Sequence, residues 1–128
     1  MNIFGIGVDI VKIKRIKSLV KDQKFINRVF AKNEIIQSKN IKKKVDYFSK
    51  RFAAKEALAK ALGTGFRNNL NLKDIEILND KLGKPYYIKT QKLSKIIYKN
   101  HKIKKYNLFL SISDEKDYSI AFAIVQKL

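Results

Sequence analysis

The chain has no cysteine and a single histidine. Without cysteine there is no disulfide framework and no thiolate metal site. With one histidine, a histidine-based zinc site and a Ser–His–Asp triad both drop out. That residue, His101, sits in the run HKIKK and reads as a solvated loop residue. No apolar run approaches the length of a transmembrane span. The start, MNIFGIGVDIV, lacks the basic leader and small-residue cleavage site of a signal peptide. These absences point to a cytoplasmic protein. Acid is scarce as well: 11 acidic against 29 basic residues leave a net charge of +18. Such a surplus suggests a polyanionic partner, whether nucleic acid, anionic membrane, or an acidic protein or cofactor. Arginine is scarce too, with only Arg15, Arg28, Arg51 and Arg67, and base-reading sites favour arginine. Richness in Lys, Ile and Asn is also what the codons of an A/T-rich genome give without any function.

What is present fits one globular domain, residues 1–128, with 45% hydrophobic residues, eight Phe and six Tyr. The chain is organised around 49–65, SKRFAAKEALAKALGTG. Alanine, leucine and lysine give it high helix propensity, Asp46 or Ser49 opens it, and Gly63 and Gly65 supply the stop. At roughly 100° per residue, Phe48, Phe52, Leu58, Ala59 and Leu62 share one broad arc, with Arg51 and Lys55 inside it. Ala53, Ala54, Ala57 and Ala61 cover most of the opposite side. Such a helix expects protein on several sides, and its charges are costly unless paired or used. Glu56 and Lys60 stand one turn apart: an i,i+4 surface pair on one reading, part of a site on another.

Ile3 to Val11 reads as a strand on which Gly5, Gly7 and Asp9 share one face. Two glycines strip that face bare and let another backbone or a ligand come close. Asp9 at its end is either a helix cap or a site residue. Lys12 to Ser38 reads as helical, with a break at Asp22-Gln23. Leu72 to Asn79 and Tyr86 to Lys89 read as a hairpin around NDKLGKP. A short helix follows up to Asn100. Leu108 to Ser113 and Tyr118 to Gln126 read as two more strands joined by a tight turn at Asp114 to Asp117. The order implies an α+β fold, a mainly antiparallel sheet with helices packed on it.

Asp9 and Glu56, with no His or Cys beside them, form a hard-ligand set that suits Mg²⁺ and substrate phosphates. Lysine and arginine nearby suit a diphosphate, and the chemistry implied is displacement at phosphorus. GTG at 63–65 is not a P-loop, since the Walker spacing is absent.

GIGVDIV at 5–11, KRFAAKEALAKALGTG at 50–65, the segment from DIEIL to GKPY, and LSISDEKDYSIAFAIV at 110–125 together resemble the holo-acyl-carrier-protein synthases. These are small bacterial-type 4′-phosphopantetheinyl transferases. The resemblance covers nearly the whole chain in order. It implies transfer of 4′-phosphopantetheine from coenzyme A to a serine of apo acyl carrier protein, with release of adenosine 3′,5′-bisphosphate. By the same resemblance, Asp9 and Glu56 are the metal acids. Lys60 neutralises the diphosphate and helps the leaving group. Arg51 holds phosphate, and Ser113 joins Arg51 and Lys60 in binding coenzyme A. The resemblance makes Arg15 the residue that grips the acidic carrier protein, and the basic segment from Lys14 to Arg28 extends that grip to Lys21 and Arg28. A homotrimer with sites at subunit interfaces is implied, with no nucleic acid or membrane partner. One position departs from the family pattern: many members carry histidine where this chain has Asp114. The acceptor of the serine proton stays open among Glu56, a water on the metal and Asp114. Two other readings stand beside this one, a basic RNA-binding module and an inactive homologue that only binds carrier protein.

Overall fold

The computed structural model describes Asn2–Leu128. It opens with β1 (Asn2–Lys12) and three short helices, α1 (Ile13–Leu19), α2 (Gln23–Val29) and α3 (Lys32–Ser38). The long α4 (Lys44–Leu62) follows, then a 3₁₀ turn (Leu72–Asp74) and the strands β2 (Ile77–Asn79) and β3 (Pro85–Tyr87). The chain ends with α5 (Gln91–His101), β4 (Tyr106–Asp114) and β5 (Tyr118–Lys127). β1, β5 and β4 form an antiparallel sheet in that order, and β2 pairs with β3 in a separate hairpin. The fold is α+β, with the helices on one side of the main sheet.

The helix expected to need protein all round has it. α4 is buried along both its apolar arc and its alanine side, and Gly63 ends it in the left-handed conformation at φ 83°. It starts earlier than either expected cap, at Lys44. The helical stretch from Lys12 to Ser38 breaks twice. The first break is the expected one, where the Asp22 carboxylate accepts from the Lys24 amide. The second falls at Phe30-Ala31, where the Ala31 amide turns to the Glu34 side chain. The strand expected from Leu72 shrinks to Ile77–Asn79. Before it, the Asp74 carboxylate caps the Asn71 amide, and Lys55 takes the carbonyls of Leu72 and Ile75.

The bare face of β1 is the inner one. A Cβ on Gly5 would lie 1.8 Å from the Ala61 carbonyl oxygen, and one on Gly7 would lie 2.0 Å from that of Ala57. Helix and strand therefore touch backbone to backbone, glycine against alanine. The apolar face of β1, with Ile6, Val8 and Ile10, points away from the core and stays exposed, while Phe4 sits at a break in the β1–β5 register and meets His101 of α5. Ile120, Phe122 and Phe109 on the neighbouring strands extend the same exposed face.

Candidate active site

The close approach of α4 to β1 gathers the first group of predicted residues. Asp9 shares the inner face with Gly7 and comes up beside the α4 turn that carries Glu56 and Lys60. The Lys60 ammonium donates to Asp9 Oδ1 and to the Val8 carbonyl, each at 3.0 Å. Lys60 is the one exposed residue of α4's last two turns, while Asp9 is mostly covered. Burial raises the Glu56 carboxyl above its ordinary value, and the charge of Asp9 raises it further. Lys60 and Arg15 pull the other way. A partly buried carboxyl with a second carboxylate close enough to oppose its ionisation forms a place where a cation is favoured. Among the described residues no group of three or more His, Cys, Asp or Glu gathers to cage a metal. A pair of carboxylates is what Mg²⁺ takes when water and substrate phosphate complete its shell. The residues present fit such an ion. Asp9 is not a helix cap, since α1 begins after Lys12 with no side-chain cap.

Arg51 belongs to a different place. It stands nine residues before Lys60, so the two lie about 13 Å apart along α4 and roughly 180° around it. Its guanidinium lies 3.7 Å from the Tyr47 ring centroid, and Nη2 donates to Asn79 Oδ1 at 2.7 Å. It borders an open pocket of about 570 Å³ shared with Lys43, Lys50, Asn79 and Asp114. Asp114 is neither a cap of its own turn nor a neighbour of Lys60. It faces Lys50 at 3.5 Å. Ser113 lies on the exposed outer face of the sheet, opposite Ile120. One copy of the chain thus holds two separate polar groups: Asp9, Glu56, Lys60 and Arg15 on one side of α4, and Arg51, Lys50 and Asp114 on the other.

Arg15, Lys21 and Arg28 are all exposed on the α1–α2 segment. Arg15 is close enough for its charge to act on Glu56, so the basic segment runs to the edge of the carboxylate pair. His101 is not a loop residue. It ends α5 with its ring 5.0 Å from Phe4, and partial burial lowers its pKa. Glu34, Tyr47, Lys50 and Asn79, which surround Arg51, escape a reading by motif. Their one signal is the pair of cations inside α4's apolar arc, which demands a buried acid somewhere else in the chain. Glu34 meets that demand, with its carboxylate 2.6 Å from the Lys55 ammonium and both side chains fully buried.

Residues 5–123 match the model of the 4′-phosphopantetheinyl transferase superfamily. The chain is 58% identical over 127 residues to the holo-[acyl-carrier-protein] synthase of Pelagibacter ubique, covering 99% of each. It is 46% identical to that of Orientia tsutsugamushi, covering 96% of each. Among solved structures, the holo-[acyl-carrier-protein] synthase of Neisseria meningitidis superposes with a TM-score of 0.87 at 42% identity, covering 98% of this chain and 99% of that one. The Bacillus anthracis synthase, in complex with CoA (3′,5′-ADP), gives 0.83 at 32% identity over the whole of both chains.

Proposed function

This chain belongs to the 4′-phosphopantetheinyl transferase superfamily and, within it, to the holo-[acyl-carrier-protein] synthases; from that premise we propose which residues carry the reaction. The activity is transfer of 4′-phosphopantetheine from coenzyme A to a serine of apo acyl carrier protein, leaving adenosine 3′,5′-bisphosphate. The serine oxygen forms a new bond to the phosphorus that carries pantetheine. The bond from that phosphorus to the bridging oxygen breaks, and the serine proton leaves.

Asp9 and Glu56 would hold Mg²⁺. When bound, the ion supplies positive charge to the diphosphate and to the oxygen that departs. Lys60, extending from α4 with its ammonium already on Asp9, contributes a second positive charge on the same side. Glu56 is placed to accept the serine proton, because burial and the charge of Asp9 raise its affinity for one. Arg15, Lys21 and Arg28 form an exposed basic strip that ends at this cluster. An acidic carrier protein seated on the strip would bring its serine to Glu56.

The second polar group, Arg51 with Lys50 and Asp114, reaches that cluster only if another copy of the chain delivers it. The exposed apolar face of the sheet favours such a partner, because Ile6, Val8, Ile10 and Phe122 project from it side by side. A head-to-tail ring of three copies would cover that face in each. It would set Arg51 and Ser113 of one protomer toward coenzyme A held at the cluster of its neighbour. No described helix is long and apolar enough to cross a membrane, and we place the enzyme in the cytoplasm.

The observation that carries this reading is the Asp9–Glu56–Lys60 cluster fixed by glycine-on-alanine packing. The test is the mass of an apo acyl carrier protein after incubation with coenzyme A and Mg²⁺. A phosphopantetheine adduct is expected with the wild type and none with Asp9→Ala or with chelator. Adduct formation at near wild-type rate by Asp9→Ala would remove the metal pair from the mechanism.

A further inference from the structure

The residues behind Arg51 have no part in the reaction as described, yet their charges do not balance. Glu34 is the one carboxylate in ion-pair contact with the two buried cations of α4, among the described residues. It also accepts the amides of Ala31 at 2.8 Å and Ile77 at 3.2 Å, which fixes both its oxygens. Lys55 donates to Glu34 Oε1 at 2.6 Å, to the Leu72 carbonyl at 3.1 Å and to the Ile75 carbonyl. Three acceptors use every N–H of an ammonium, whereas a neutral amine has only two to give. Lys55 is therefore charged, although burial lowers its pKa, with Glu34 opposing. The Arg51 charge adds to the lowering, and Glu76 adds a weaker attraction.

Arg51 is left with the remainder. Its Nε lies 3.9 Å from Glu34 Oε2, beyond hydrogen-bond reach, and has no hydrogen-bond partner. Its other contacts are neutral: Asn79 at Nη2 and the Tyr47 ring beneath, itself pinned by a 2.7 Å hydrogen bond to the Glu34 carbonyl. One carboxylate thus serves two cations, and Lys55 holds the near oxygen. The surplus positive charge sits on Arg51, at the edge of the pocket it shares with Lys50.

We infer that Lys55 is a positioning residue for coenzyme A binding: by holding Glu34 at hydrogen-bond distance it leaves the charge of Arg51 only partly compensated from within, at 3.9 Å, and open to a phosphate in the pocket. This deepens the role proposed for Arg51 and rests on it. A pair that only glued the core would set stability and nothing else.

The test compares Lys55→Met, the double variant Glu34→Gln/Lys55→Met, and Arg51→Gln. Readouts are Tm and the KM for coenzyme A against kcat, at saturating carrier protein. In Lys55→Met the Glu34 charge, still held by the Ala31 and Ile77 amides, is left to Arg51 alone. KM for coenzyme A then rises about tenfold, the lower end of what one charge-assisted hydrogen bond is worth. kcat stays within about twofold, since the loss is in binding alone. In the double variant no carboxylate is left to claim Arg51. KM returns to within about threefold of wild type even though Tm stays lower. That rescue by a second core substitution is what a merely structural pair cannot produce. An unchanged KM in Lys55→Met beside a raised KM in Arg51→Gln overturns the inference alone. So does a double variant as impaired in KM as Lys55→Met. If Lys55→Met does not fold, the double decides by its KM, and a double that does not fold assigns the pair to the core and overturns the inference. An unchanged KM in Arg51→Gln instead refutes the role of Arg51 itself.

Discussion

Gly7→Ala puts one methyl group between β1 and α4. Its carbon would stand 2.0 Å from the Ala57 carbonyl oxygen, 2.6 Å from the Ala61 amide nitrogen and 3.0 Å from Lys60 Cβ. The first two are backbone atoms of a buried helix and cannot swing aside. Ordinary contact begins at 3.4 Å, so α4 must withdraw from the strand by about 1.4 Å. Overpacking of this kind costs about 1–3 kcal/mol, and backbone against backbone belongs at the upper end. The withdrawal also parts Lys60 and Glu56 from Asp9, and a displacement of about 1 Å in a catalytic group can cost about 10²-fold in rate. Gly5→Ala meets a similar obstacle at the Ala61 carbonyl, 1.8 Å away, but lies two residues farther from Asp9. Denaturant unfolding and kcat on the two variants separate packing from catalysis. Both should lose comparable stability, and Gly7→Ala should lose more activity at a temperature where both are folded. Gly7→Ala within about 0.5 kcal/mol of wild type with normal turnover would refute the close-packing account.

Two further outcomes follow from charge. The folded-state pKa of Glu56 lies above its unfolded value, so its contribution to stability is full below the unfolded pKa and lost as pH rises through the folded one. Glu56→Gln should therefore raise Tm at neutral pH, with the gap closing toward about pH 4, while transfer is lost. Mg²⁺ should raise the Tm of the wild type and not of the variant; a variant less stable than wild type at neutral pH would contradict the burial argument. Arg15→Glu should raise KM for carrier protein more than KM for coenzyme A, with the difference largest at low salt. Unchanged carrier kinetics at low salt would exclude Arg15 from the docking strip.

The part of this fold that was legible in the sequence is the part written in periodicity and small residues. Gly5 and Gly7 announced a bare strand face, and the alanines of 53–61 announced a helix with protein on both sides. Their meeting, and with it Asp9 beside Glu56, follows from those two signals. The motif resemblance added the chemistry. Less legible was which side of β1 faces the core. Alternation separates Phe4, Ile6, Val8 and Ile10 from the glycines, but it does not say that the more apolar face is the one left open. Only packing against α4 decides that. The split between Lys60 and Arg51 was in reach, since nine residues on a helix mean opposite sides. The surroundings of Arg51 were not, because Glu34, Tyr47 and Asn79 come from three different elements. The 3₁₀ turn at Leu72–Asp74 has a local cap, Asp74 on the Asn71 amide, but the partner of its Leu72 carbonyl was hidden. That carbonyl answers to Lys55, 17 residues earlier, and local propensity carries no trace of that.

The central claim is that Asp9 of one copy and Arg51 of another work in the same site, and complementation tests it most directly. Asp9→Ala and Arg51→Ala are each expected to be nearly inactive as pure proteins. Mixed after dissociation and allowed to reassemble, they should form rings in which some interfaces receive an intact Asp9 from one chain and an intact Arg51 from the other. Random assembly of an equal mixture makes about a quarter of the interfaces whole, and transfer activity should recover toward that fraction. A mixture as inactive as its two components, in rings shown to have exchanged subunits, would contradict the claim.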